Sequence, residues 1–236
     1  MKLYIANKNY SSWSLRPWVL LHMLQVPFEE VLVPFVGGGP QPAFHAFSPT
    51  GKVPCLELDG VTVWESLAIM ETVAERHPSA WPEDWKARAW ARAASAEMHA
   101  GFSLVRQHCS MSCGQRVALD DPPPGLLAEW QRMDALWTEG LERFDGPFLA
   151  GPGFTIVDAF FAPVAFRILT YAPALSSQAL DYAQRLRRLP PMQRWYDEAI
   201  EEPWRDEDHE RDVAAAGTVL EDFRRAVTPA RETGAA

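Results

Sequence analysis

Cysteine is scarce in this 236-residue chain, which holds only Cys55, Cys109 and Cys113. So small and odd a number excludes a disulfide framework in a protein of this size. Cys109 and Cys113 lie four apart with His108 alongside, but adjacent helical residues diverge, so they are expected to be ordinary helix residues and no metal is expected. A Cys-x-x-Cys pair, a Gly-x-Ser-x-Gly elbow and a His-Glu-x-x-His helix are all missing, which removes the usual signatures of disulfide exchange, serine hydrolysis and zinc proteolysis. Gly51-Lys52 lacks the spaced first glycine and the following Ser or Thr of a phosphate loop. Positive charge is in the minority: 22 Lys and Arg stand against 31 Asp and Glu, for a net charge of -9. With no basic stripe to neutralise a phosphate backbone, a nucleic-acid partner is excluded. Long apolar runs are absent too. The opening MKLYIANKNY turns polar after a few residues, too soon for a signal-peptide core, and no later stretch could span a membrane. The chain is expected to be soluble and cytoplasmic, with no membrane partner.

What is present is apolar and aromatic. Hydrophobic residues make up 47% of the chain, including ten tryptophans and twelve phenylalanines, enough to fill the cores of two modest domains. Lys2–Ala6 reads as a strand and Trp18–Val26 as a helix ending before Pro27. Glu29–Pro34 reads as a second strand. Val53–Trp64 alternates around Asp59-Gly60, the pattern of a β-hairpin. Leu67, Met70, Val73 and Ala74 then mark one face of a helix stopped by Pro78. The order βαβ then ββα is complete by residue 78. Beyond it the periodicity is helical throughout: Trp85 to about Cys113, as one long helix or one with a break near Gly101, then Leu126–Phe144, a helix from Thr155, and others at 179–187, 191–201 and about 212–227. The expected organisation is therefore an α/β domain over 1–78, an all-helical domain over 86–227 and a tail over 228–236.

The chemistry concentrates at the start of the first helix. Pro17 costs little only within a first turn, so the helix must begin close to Trp13–Arg16. Ser11, Ser12 and Ser14 then cluster at its N-terminus, where unpaired N–H groups and the helix dipole favour negative charge. Such a place can hold a thiolate, and a hydroxyl aimed at sulfur would lower a thiol pKa that is otherwise about 8.5. One of the three serines is expected to serve as an N-cap instead. Val53-Pro54 at a strand entrance is compatible with a cis bond that turns the Val53 backbone toward an extended ligand. Glu65-Ser66 at a helix start offers an acceptor for an ammonium and donors for a carboxylate, together suited to an amino-acid head group. Thr155-Ile-Val-Asp158 reads as a capping box, a folding element.

Ser11-Ser-Trp-Ser-Leu-Arg-Pro-Trp, Lys52-Val-Pro and Trp64-Glu-Ser-Leu-Ala-Ile together resemble the cytosolic glutathione transferase family, in order and in spacing, over nearly the whole chain. The likeness is to its zeta-like and bacterial serine-type members. The resemblance implies a thioredoxin-like first domain with a helical bundle behind it, glutathione as co-substrate, a small-molecule electrophile and a homodimer. It implies a cis Pro54, Val53 paired with the cysteinyl backbone of glutathione, Glu65 and Ser66 on its γ-glutamyl end and Lys52 near its glycine carboxylate. Ser11 is the serine it brings to the sulfur, with Ser12 as rival. Zeta-like enzymes carry cysteine where this chain has Trp13, which counts against their isomerase activity. Trp13, His99, Phe102, Arg106 and Arg167 are the candidates for the second-substrate pocket. Arg106 and Arg167 could meet a substrate carboxylate, although helical arginines are ordinarily solvated.

Overall fold

A computed structural model describes residues 1–226; the tail expected over 228–236 lies outside them. The first unit runs β1 (Lys2–Ile5), α1 (Ser12–Met23), β2 (Glu29–Leu32), β3 (Cys55–Leu58), β4 (Val61–Trp64) and α2 (Ser66–Arg76). Its sheet has the order β2-β1-β3-β4, with β1 parallel to β2 and the other two pairs antiparallel. A parallel pair needs a crossover, and α1 supplies it. The β3–β4 hairpin turns on Asp59 and Gly60, both at positive φ, as a two-residue turn with the right twist requires. This is the thioredoxin-like arrangement.

The second unit holds α3 (Trp85–Ala100), α4 (Ser103–His108), β5 (Gln115–Leu119), α5 (Pro124–Arg143), α6 (Ile156–Tyr171), α7 (Ser177–Arg187), α8 (Pro190–Glu201), α9 (Glu207–Ala216) and β6 (Gly217–Asp222). Apolar residues surround α6 on nearly every face; it packs on α1, α3, α7 and β5 and is the pillar of the molecule. A helix hydrophobic all round must be buried, and this one is. Its entrance is fixed by Asp158, fully buried, which accepts the N–H of Thr155 at 2.9 Å, that of Leu149 at 3.0 Å and the hydroxyl of Tyr182 at 2.7 Å. Burial pushes its carboxyl up to about 6. Thr155→Ala is expected to lower stability by about 1 kcal/mol with ligand affinity intact; denaturant unfolding beside binding calorimetry checks it, and a collapse of affinity at unchanged stability would contradict a purely structural role.

Three features depart from the sequence reading. Helix α1 starts at Ser12, so Pro17 sits in its second turn; lacking an N–H, it leaves the Trp13 carbonyl without its helical donor. The helix expected to run to Cys113 ends at His108, so Cys109 and Cys113 share no helix face. Both are buried in loop, and burial raises both thiols, Cys109 to about 12. Third, the last helix is shorter than expected, ending at Ala216, and is followed by β6, which pairs antiparallel with β5. Gly217 permits this pairing, since a Cβ there would lie 1.9 Å from the Ala118 carbonyl oxygen. No helix among the described residues is long and apolar enough to cross a membrane.

Candidate functional site

A cleft of about 160 Å³ opens between the head of α1 and the β3–β4 side of the sheet, lined by Trp13, Thr50, Lys52, Val53, Pro54 and Glu65. The Val53-Pro54 bond is cis. Glu65 stands at φ +66°, a conformation that costs a non-glycine residue energy and that concentrates at ligand-binding positions. It directs the chain from β4 into α2, whose first residue, Ser66, is buried with its hydroxyl unpartnered among the described residues. A buried hydroxyl left alone forfeits a hydrogen bond, and Ser66, next in sequence to the cleft residue Glu65 but not itself in the lining, is a candidate partner for a polar ligand there.

The three serines lie beside Trp13 at the end of α1 but do not line this cleft. Ser11 occupies the N-cap position, yet its side chain makes no capping bond; the expected cap is missing. Its hydroxyl instead donates to Ser14 Oγ at 2.7 Å, and Ser14 Oγ accepts the Ala6 N–H at 3.3 Å. Ser12 Oγ accepts from Arg167 Nη2 at 3.3 Å. The Ser12 N–H donates to the Tyr10 carbonyl at 2.8 Å, but no serine side chain consumes the N–H groups of Trp13 and Ser14, so their partial positive charge stays available to an anion.

Behind Trp13 the site turns cationic. The Arg16 guanidinium, fully buried, stacks 4.0 Å from the Trp13 ring and 4.9 Å from that of Phe160. Among the described residues its Nε and Nη1 have no partner, and neither has Nη1 of Arg167, also buried. Arg167, a pocket candidate for which solvation is the ordinary alternative, reaches inward from α6, donating from Nε to the Cys109 carbonyl at 2.8 Å. Arg106, 5.8 Å from the Trp13 ring, bonds to the Gly101 carbonyl. Burial, then the charges of Arg167 and Arg106, depress the Arg16 guanidinium, while burial brings Arg167 down to about 10. Among the described residues none of the three arginines pairs with a carboxylate within 4.0 Å. His99 packs edge-on to Trp13 at 5.4 Å with Nδ1 unpartnered among the described residues, and burial lowers its pKa. Phe102 is core, at the left-handed residue that starts α4.

The loop delivering the serines is held from the far end of the chain. Glu202 accepts the N–H of Lys8 at 2.6 Å and of Asn9 at 3.2 Å, and Trp195 Nε1 donates to the Lys8 carbonyl at 2.8 Å. Tyr10 donates to Glu210 at 2.5 Å, accepts from Arg224 at 3.1 Å and stacks on His209. Burial lifts the Glu202 carboxyl to about 7. Sequence reading missed both Arg16 as a site residue and this clamp. Arg16 had a signal, being a lone charge in an apolar helix segment without acidic neighbours; Glu202, about 190 positions from its partners, had none.

Two family profiles match the chain: "Glutathione S-transferase, N-terminal domain" over residues 10–76 and "Glutathione S-transferase, C-terminal domain" over 83–198. A maleylacetoacetate isomerase from Rattus norvegicus is 31% identical over 68% of this chain and 74% of its own length. A probable maleylacetoacetate isomerase from Caenorhabditis elegans is 33% identical over 70% and 77%. Among solved structures, the diazinon-metabolizing glutathione S-transferase of the silkworm Bombyx mori matches at 19% identity and TM-score 0.66, over 84% of this chain and 96% of that one. The theta class glutathione S-transferase of Xanthomonas axonopodis pv. citri, with glutathione bound, matches at 20% identity and TM-score 0.61, over 83% and 96%. This chain belongs to the glutathione S-transferase family, as an enzyme with glutathione for its co-substrate.

Proposed function

We propose that this protein holds glutathione as a thiolate at the head of α1 and directs it at small electrophiles that carry a carboxylate. The observation that carries the reading is the pair of buried guanidiniums of Arg16 and Arg167 beside the serine turn, neither with a carboxylate within 4.0 Å among the described residues. Burying unpaired cations is expensive, and an anionic ligand offsets that cost. In this reading Lys52 and the Val53 backbone take the glycine and cysteinyl parts of glutathione, while Glu65 and Ser66 take the γ-glutamyl end. Ser11 supplies the hydrogen bond to sulfur: turning its hydroxyl from Ser14 to a thiolate exchanges a neutral bond for a charge-assisted one. Ser12 is the rival donor, its oxygen held by Arg167, and Ser14 is the relay behind Ser11. The thiol proton passes to solvent water, and sulfur then forms a bond to the electrophilic carbon as that carbon's bond to a leaving group breaks or, in an addition, as its double bond opens and the far carbon takes a proton from water. Trp13, His99 and Arg106 complete the second-substrate wall.

Titrating bound glutathione by its ultraviolet thiolate band tests the serine. Ser11→Ala is expected to raise the thiol pKa by ~1–2, each unit being about 1.4 kcal/mol of lost thiolate preference; an unchanged pKa would transfer the role to Ser12. The curated relatives favour a second reading, reversible addition of the thiolate to a double bond followed by its expulsion. Trp13, standing where zeta-like members carry cysteine, favours conjugation. Stoichiometric disappearance of free glutathione during turnover supports conjugation; turnover without consumption supports isomerisation. A second copy of the chain is the proposed partner for the exposed Val61 and Trp64 of edge strand β4 and for Trp85 at the start of α3. Sedimentation is expected to give a dimer, and a monomer at micromolar concentration would remove that assignment.

A further inference from the structure

Tyr10 is buried immediately before the serine turn, and its backbone shapes that turn. The N–H groups of Tyr10 and Ser11 both donate to the Asn7 carbonyl, at 3.2 and 2.8 Å, and the Tyr10 carbonyl accepts the Ser12 N–H at 2.8 Å. The seat of the Tyr10 ring therefore sets the direction in which Ser11 and the free N–H groups of Trp13 and Ser14 point. The Tyr10 hydroxyl itself is committed elsewhere. It donates to Glu210 of α9 at 2.5 Å, and burial, then that bond, raises the phenol pKa and keeps the proton in place.

What fixes the ring is an arginine 214 positions away. Arg224, just past β6, has a side chain 4% exposed and gives Nη1 to the Tyr10 oxygen at 3.1 Å. The same guanidinium holds Glu210 through both Nη atoms, and Asp222 through Nε at 2.9 Å and Nη2 at 2.6 Å. All five of its N–H donors are used. Its stem passes over Gly114, where a Cβ would lie 2.3 Å from Arg224 Cγ, so the arginine fits only because that residue has no side chain. A fork held on every prong has one position and imposes it on Tyr10. Glu210, Asp222 and Arg224 all lie beyond residue 198, where the family profile ends.

We propose that Arg224 is a positioning residue for thiolate formation: through Tyr10 it holds the serine turn in the orientation that lowers the thiol pKa of bound glutathione. This rests on the reading that the head of α1 stabilises the thiolate. Titration of bound glutathione by its ultraviolet thiolate band tests it, with S-methylglutathione, which has no thiol to ionise, as the binding control. Arg224→Gln is expected to raise the bound-thiol pKa by ~1 while S-methylglutathione affinity stays within about twofold. Tyr10→Phe keeps the ring and removes both hydroxyl bonds. It should give a similar rise, and the double variant no more than either single one, because the two residues act in series. Arg224→Lys keeps the charge without the fork and should behave like Arg224→Gln. An unchanged pKa in Arg224→Gln and Tyr10→Phe, additive effects in the double variant, full recovery by lysine, or a loss of S-methylglutathione affinity as large as that for glutathione would each overturn the proposal. Ser11→Ala and Ser12→Ala in the same titration separate the two levels. A rise in either, with none in Arg224→Gln, removes the positioning role and leaves the thiolate reading standing; no rise in either removes both.

Discussion

Glu202→Ala is expected to lower unfolding free energy by about 3 kcal/mol and to weaken glutathione binding although residue 202 lies outside the glutathione cleft. The carboxylate accepts two consecutive backbone N–H groups, of Lys8 and Asn9, in buried surroundings. Deleting it strands both donors, at roughly 1–3 kcal/mol each, and they sit immediately before Tyr10 and Ser11, so the serine turn loses its support. Denaturant unfolding and calorimetric titration with glutathione measure the two effects; a stability loss with wild-type affinity would show that the clamp holds the fold alone. Glu202→Gln removes the titration together with one of the two acceptors, and the lost hydrogen bond is a constant that leaves the pH dependence of the difference unchanged. Burial raises the folded-state carboxyl from its ordinary 4.5 to about 7, so the native state keeps a proton that the unfolded chain has released. That contribution is complete below pH 4.5 and disappears as pH rises through 7. Wild type should therefore lose ground to the non-titrating Gln variant between pH 5 and 8, by on the order of 3 kcal/mol. His22 and His99, whose pKa values burial lowers, titrate alike in both proteins and cancel in the comparison. A difference that is flat across this range would show that the carboxylate is ionised throughout.

Arg16→Met is expected to move stability and activity in opposite directions. The guanidinium is wholly buried with two nitrogens unpartnered among the described residues, and its charge is compensated by the Trp13 and Phe160 faces and by the more distant Glu65 carboxylate. An apolar side chain of similar length removes that burden, so the variant without ligands should be more stable by ~1–3 kcal/mol. If the arginine receives the carboxylate of the second substrate, kcat/KM for an acidic electrophile should fall about 100-fold, or roughly 2.7 kcal/mol. A matched neutral electrophile should change by no more than about threefold. Equal losses on both would show that Arg16 shapes the pocket without reading charge, and a less stable variant would show that Trp13 and Phe160 already satisfy it.

The legible parts of the fold were those governed by local chemistry. Alternation around Asp59-Gly60 specifies the β3–β4 hairpin because both turn residues must reach positive φ. Pro78 marks where α2 stops, and Thr155 with Asp158 marks where α6 starts. The β5–β6 pair was illegible for the opposite reason. Each strand is short, each meets its partner about a hundred residues away, and the alanine-rich composition beside β6 favours helix until Gly217 brings the backbones together. The site divides in the same way. Lys52, Val53, Pro54, Glu65 and the serines announce themselves by turn, cap and proline chemistry, whereas Arg167 resembles any helical arginine until its helix is seen to be enclosed.

The sequence by itself determined that a serine-rich helix start, a Val-Pro strand entrance and a Glu-Ser helix start occur in family order, because each depends on backbone preferences within a few residues. Tertiary structure alone decided that Arg16 and Arg167 converge behind Trp13 with no carboxylate within 4.0 Å among the described residues, and that Glu202 grips the loop in front of Ser11. Burial and long-range pairing set both, and desolvation is a property of what surrounds a residue, which the order of residues along the chain does not state.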